Sequence, residues 1–250
     1  MSGHSHWARI KRKKGATDAK RGQRFSKCAR AITVAARNGG ADPALNLTLR
    51  YAIDEARAAN MPKDSIERAI KKGAGELADE KPFAAVLYEG YAPGGVAVLV
   101  ECLTDNRTRT VGEIVRIFEH SGGTLGRPGC VAWMFTKKGV ILTAAGVDEE
   151  QAMDVALAAG ADDMTASDAA FEITCAPENL GRVKEALEKA AIPVENAEVR
   201  QVPQNYITLD EANAPKVLRL MESLEDHDDV QKVHANFDIA PDLLEKFQNA

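Results

Sequence analysis

The 250-residue sequence predicts an α+β fold, a small N-terminal helical domain followed by two ferredoxin-like α/β domains. Two observations carry that prediction. Apolar residues recur at spacings of three and four between residues 25 and 76, and beyond residue 82 short strand-like runs alternate with amphipathic helices. The first predicted helix, FSKCARAITVAARN, lines up Phe25, Cys28, Ala29, Ile32, Ala35 and Ala36 and stops at Gly39 and Gly40. NLTLRYAIDEARAAN predicts a second, with Leu45, Leu49, Ala52, Ile53 and Ala56 on one stripe. PKDSIERAIKKG predicts a third, opened by Pro62 and closed at Gly73. Glycine, acid and proline mix over residues 73–82, the expected linker.

Beyond it the period changes. AAVLYEGYA and VAVLVECLT read as strands, and Pro93, Gly94 and Gly95 between them predict a hairpin. DNRTRTVGEIVRIFEHSGG predicts a helix capped by Thr104 or Asp105, with Val111, Ile114, Val115 and Phe118 as its buried stripe. CVAWMF and GVILTAA are strands, a helix covers residues 148–159, and DDMTAS and AFEITCA are strands again. A helix over residues 178–190, the strand VENAEVRQV, the strand YITLD and a helix over 214–224 follow. VQKVHANFDI supplies the last strand, and a short C-terminal helix ends the chain.

Composition narrows the function classes. With 45% apolar, 28% charged and 5% aromatic residues, the chain has the profile of a globular protein, neither disordered nor membrane-embedded. No run approaches the roughly 18 apolar residues of a spanning helix, and no apolar secretory segment opens the chain. Cys28, Cys102, Cys130 and Cys175 lie far apart, so buried thiols are expected rather than disulfides or a zinc module. A cytoplasmic protein without metal or cofactor is the expectation. The sequence contains no nucleophile elbow, no paired metal-binding histidines and no triad motif, and His120, His227 and His234 read as single residues. A non-enzyme without a small-molecule substrate is expected.

Charge is distributed very unevenly. Residues 1–30 carry ten basic residues against Asp18 alone, and residues 1–76 carry a net +10, whereas the remaining 174 residues carry −15. Such a split predicts a polyanionic partner at the basic end, because Lys and Arg that neutralise phosphates release condensed counterions. The expected contacts are Arg9, Lys11, Arg12, Lys13, Lys14, Lys20, Arg21, Arg24 and Lys27, with Trp7 stacking on unpaired bases or anchoring the arm. Gly15 and Gly22 are expected to break any long helix there. A membrane surface fits poorly, since only Trp7 and Ile10 are strongly apolar between Trp7 and Arg24.

Three further stretches invite a site. Arg107 and Arg109 stand in the first turn of a predicted helix, where positive charge opposes the helix dipole by roughly 0.3–1 kcal/mol each. Either Asp105 and Glu113 offset it internally, or Arg107, Arg109 and the helix N-terminal amides hold a phosphate. GGTLGRPG is neither a Walker loop nor a dinucleotide fingerprint and reads as a helix cap and loop. EDHDD, residues 225–229, lacks the features of a calcium loop and reads as a solvated turn.

Taken in order, GHSHWARIKRKKGATDAKRGQRFSK, NMPKDSIERAIKKG, YEGYAPGGVAVLVECLTDNRTRT, GGTLGRPGCVAWMF and LEDHDDVQKVHANFDI closely resemble the YebC/PmpR family along essentially the whole chain. Departures are few: Leu47 and Thr48 stand where the family usually shows Pro and a basic residue, His234 where it shows an aromatic, and His6 where it shows Lys. The resemblance implies a basic arm (1–24), a three-helix domain (25–76) and a discontinuous α/β domain (82–136 with 204–250) that hosts an inserted one (137–203). It also implies a DNA-binding transcriptional regulator. The alternative it carries is a ribosome-associated translation factor that binds RNA, because a mitochondrial translational activator for a cytochrome oxidase subunit is similar.

Overall fold

The computed structural model describes residues 18–77, 82–167 and 170–240. Trp7, Arg9, Lys11, Arg12, Lys13 and Lys14 of the basic arm, and the expected C-terminal helix, lie outside the described residues. The helices and strands run α1 (Asp18–Gly39), α2 (Leu47–Ala58), α3 (Lys63–Gly73), β1 (Ala84–Ala92), β2 (Val96–Thr104), α4 (Arg107–His120) and β3 (Thr124–Leu125). After these come β4 (Phe135–Thr143), α5 (Glu149–Ala158), β5 (Ala161–Ser167), β6 (Ala170–Cys175), α6 (Leu180–Lys189) and β7 (Val194–Pro203). The last described elements are β8 (Ile207–Leu209), α7 (Ala214–Glu225), β9 (Val230–Ala235) and β10 (Phe237–Ile239). Among the described residues no helix is long and apolar enough to cross a membrane.

Two compact units result, one from the described residues of 14–132 and 209–235, the other from those of 133–208 and 236–250. In the first, α1, α2 and α3 bury Ile32, Ala36, Leu49, Ile53, Ala56, Ile66 and Ala69 together. Gly73 lets α3 approach α1, for a Cβ there would lie 2.7 Å from that of Ala36. The same unit holds a sheet of order β3-β1-β2-β9. Its central strand β2 is buried at eight of nine positions, which its near-continuous apolar run demands. Helices α4 and α7 pack side by side against this sheet, burying Ile114, Phe118, Val217, Met221 and Leu224. Pro93–Gly95 turns β1 into β2 as predicted, and β1 pairs with β2 from Ala84↔Thr104 to Ala92↔Val96. Gly90 admits Phe118, whose ring would stand 2.7 Å from a Cβ at that position.

The second unit contains the sheet β5-β6-β4-β7, antiparallel throughout. Its βαββαβ succession puts the first strand beside the third and the last, the ferredoxin-like order. The core joins Ile141 and Ile173 to Ala152, Ala156, Val183 and Leu187 of its two helices. A buried ion pair, Arg200 Nη2 to Glu172 Oε2 at 2.8 Å, crosses the sheet. The strands β8 and β10 pair separately.

Several local expectations need correction. α1 begins at Asp18 rather than Phe25 and runs through Gly22. A helical glycine costs about 1 kcal/mol relative to alanine, and the contacts of α1 described below offset it. Leu45 is 86% exposed because Asn46 starts the next helix after it. Asn46 accepts from Leu49 N at 3.0 Å and donates to Ala35 O and Gly40 O, both at 2.8 Å. α4 is capped by Asn106, not by Thr104 or Asp105, and its buried stripe is Thr110, Ile114 and Phe118, leaving Val111 exposed. CVAWMF is not a strand: Ala132–Met134 forms a 3-10 turn, and β4 starts at Phe135.

Candidate nucleic-acid interface

The acidic run 225–229 is not a solvated turn. It follows the C-terminus of α7, where unsatisfied carbonyls concentrate partial negative charge, and one flank of α1 docks on it. Gln23 Nε2 donates to Asp226 O at 2.5 Å and Asp228 Oδ1 at 3.1 Å. Lys27 Nζ donates to Glu225 O at 2.5 Å. Arg30 Nη1 reaches Asp228 O at 2.6 Å and Asp229 Oδ1 at 3.1 Å, its guanidinium 5.4 Å from the centre of the Phe83 ring. Lys232 of β9 adds a link to Glu55 of α2 at 3.6 Å.

Asp229 is the centre of this junction, its side chain only 4% exposed. Arg109 Nη2 donates to its Oδ2 at 2.6 Å, and Thr110 Oγ1 does so at 2.8 Å. Thr104 Oγ1 accepts from Asn106 N at 2.9 Å and stands 2.7 Å from Thr110 Oγ1, and its hydroxyl also hydrogen-bonds the Asp229 carboxylate. Burial pushes the Asp229 carboxyl up, but the hydrogen bonds from Arg109 and Thr110 and the charge of Arg109 outweigh it. The group is held below its ordinary value and stays ionised.

His227 belongs to the same cluster, contrary to its reading as a single residue. Its Nδ1 accepts from Asp229 N at 3.1 Å, so the ring proton sits on Nε2, 2.9 Å from Glu113 Oε2. His234 is likewise partnered, 3.1 Å from Glu101 Oε1. Glu113, His227 and Asp229 offer ligand atoms within 4.8 Å of one another, the geometry of a cation site. Their chemistry argues otherwise, because Arg30 and Arg109 already neutralise Asp229 and both ring nitrogens of His227 are engaged.

The glycine-rich loop also serves an internal anion. Buried Glu89 of β1 accepts from Gly129 N at 2.6 Å, Val131 N at 2.9 Å and Ala132 N at 2.8 Å, while Gly126 N donates to its backbone carbonyl at 2.7 Å. Burial raises the carboxyl, and the three backbone donors outweigh it and leave it below the ordinary range. These amides are therefore spent on the protein's own carboxylate, which also explains why CVAWMF turns before it extends.

The remaining expected contacts divide. Arg21 and Arg24 are exposed on the first turns of α1, and Lys20 stands one residue earlier than Arg21 in the same helix. Lys27 and Arg109 are turned inward to the acceptors just named, with Asp105 at 3.2 Å and Glu113 at 3.9 Å also flanking Arg109. Arg107 is exposed and makes no ion pair among the described residues. Arg37 at the end of α1 and Arg68 and Lys71, three residues apart on α3, are further exposed cations of the helical region beyond the residues singled out in the sequence. None of the four cysteines forms a disulfide, and burial pushes Cys102 up to about 12 and Cys28 and Cys175 up to about 11, so these three stay protonated at neutral pH.

Comparison with known proteins assigns the chain. A family model described as the TACO1/YebC protein N-terminal domain matches residues 5–76, and one described as the TACO1/YebC second and third domain matches residues 83–237. A probable transcriptional regulatory protein of Geobacter sulfurreducens is 54% identical over 246 residues, covering 98% of this chain and 99% of its own. One of the same description from Desulfotalea psychrophila is 54% identical over 248 residues, with the same coverage. The crystal structure of a conserved hypothetical protein from Aquifex aeolicus matches with a TM-score of 0.79 and 49% identity, over 89% of this chain and 92% of that one. Matched by both models and along nearly its whole length by these relatives, the chain belongs to the TACO1/YebC family.

Proposed function

We propose that this protein is a non-catalytic, cytoplasmic regulator of gene expression that binds nucleic acid through its basic arm and helical domain, with DNA as its main partner in transcriptional control. The observation that carries the reading is the charge split, +10 over residues 1–76 against −15 over the rest. The relatives described as probable transcriptional regulatory proteins support it. A second reading, an RNA-binding translation factor on the ribosome, draws on the exposed face of α3. That face offers Arg68 and Lys71 to phosphates, and no recognition-helix motif for duplex DNA is evident in the sequence.

Filter binding of duplex DNA, hairpin RNA and purified ribosomes over a potassium chloride series tests both. Six phosphate contacts predict a log–log slope of about −5 on duplex and about −4 on single strands. Affinity that ignores salt would sink the proposal, and the tightest of the three ligands decides between the readings. Arg107→Ala should weaken binding and flatten the slope by about 0.9 without changing thermal stability. Arg109→Ala should do the reverse, costing about 1 kcal/mol of stability while binding holds, because Arg109 serves Asp229.

A further inference from the structure

We propose that Trp133 and Tyr206 form a second nucleic-acid contact, a stacking platform for unpaired bases on the unit formed by residues 133–208. At the open end of the β4–β7 ladder Phe135 pairs with Pro203, and Gln204 N donates to Met134 O at 2.9 Å. Trp133 lies in the 3-10 turn one residue before that bond, and Tyr206 in the β7–β8 connection two residues after it. Both rings are exposed, Trp133 at 66% and Tyr206 at 37%. Trp133 follows directly on Ala132, whose amide is held by Glu89, so the chain leading to the ring is already ordered.

The surroundings identify the ligand. Across residues 132–138 and 203–207 the exposed side chains are Trp133, Thr136, Lys137, Gln204, Asn205 and Tyr206. These are two aromatics, amides able to meet base edges, a hydroxyl and a cation. No exposed aliphatic residue stands among them to build the apolar centre of a protein interface. Neither segment contains an acidic residue, although the chain beyond residue 76 carries −15. Aromatic faces with nearby cations are the chemistry of single-strand binding, since every base has a π-face and duplex stacking hides it.

The inference rests on the nucleic-acid reading above, and the test separates the two. The chain has only two tryptophans, so Trp7→Phe leaves Trp133 as the sole indole. Full-length Trp7→Phe protein is titrated with fluorescein-labelled 12-mers of oligo(U), oligo(dT) and a mixed-sequence duplex, following label polarisation and tryptophan emission together. Expected is quenching of Trp133 in step with binding of a single strand and unchanged emission with duplex. Comparison of oligo(U) with oligo(dT) tells which sugar the platform prefers. Trp133→Ala should weaken single-strand binding about tenfold and Trp133→Phe much less, with duplex affinity and thermal midpoint unchanged. Single strands that bind while Trp133 emission stays constant, or a Trp133→Ala protein that binds them normally, overturn the platform and leave the arm intact. Binding of no nucleic acid at all overturns both.

Discussion

Deleting residues 1–17 is expected to lower affinity for duplex DNA about a thousandfold at 0.15 M salt. The deletion removes Arg9, Lys11, Arg12, Lys13 and Lys14 and no acidic residue, while α1 keeps its whole length from Asp18. Each cation on a phosphate releases about 0.9 counterions from duplex, so the log–log salt slope should become shallower by about 4.5. Of six contacts about one remains, so the residual binding should respond to salt with a log–log slope of only about −1. Thermal midpoints should be unchanged, because the clasp of α1 on the acidic turn starts at Gln23. Equal binding by the truncated and full-length proteins would remove the arm from the interface.

Replacing Asp229 by alanine should be the most damaging single substitution at the junction. It strips Arg30, Arg109 and Thr110 of a shared acceptor that is nearly inaccessible to water. Losing one partner of a buried ion pair costs about 3–5 kcal/mol, and here the two guanidinium groups retain some solvent, which lowers the figure to about 2–3 kcal/mol. The thermal midpoint should fall by about 5–10 °C. The pH dependence has a definite sign. The folded carboxyl is depressed, so its contribution is complete above the unfolded value near 4 and is lost as pH falls through the folded one. The gap between wild type and variant should therefore be constant from about pH 5 to 8 and close in acid. Equal midpoints at neutral pH would show that Asp229 does not hold the junction.

How far the sequence disclosed this protein depended on the range of the interactions involved. Helices announced by apolar spacing and the Pro93–Gly95 hairpin stand where local pattern placed them, because one face against one core decides them. The failures share a cause. Leu45 has the right spacing for the α2 stripe, yet Asn46 finds acceptors on Ala35 and Gly40 and starts the helix after it. EDHDD reads as solvent-exposed because its hydrogen-bond donors come from Gln23, Lys27, Arg30 and Arg109, more than a hundred residues away. Glu89 gives no local sign of burial, since the three amides that satisfy it lie beyond residue 128. Lys27 reads as a phosphate contact by its charge and Arg109 as either a phosphate contact or a partner of nearby carboxylates, and the fold gives both of them internal acceptors.

The docking of α1 on the acidic turn also imposes a timetable on biosynthesis. Gln23 meets partners 203 and 205 residues downstream, and Lys27 and Arg30 meet theirs after 198. At a translation rate of about 5–20 residues per second, α1 leaves the ribosome roughly 10–40 s before its acceptors exist. The βαββαβ segment between them is completed earlier and can fold first on local connections. Throughout that interval the most basic part of the chain is tethered beside ribosomal RNA with none of its carboxylate partners yet made.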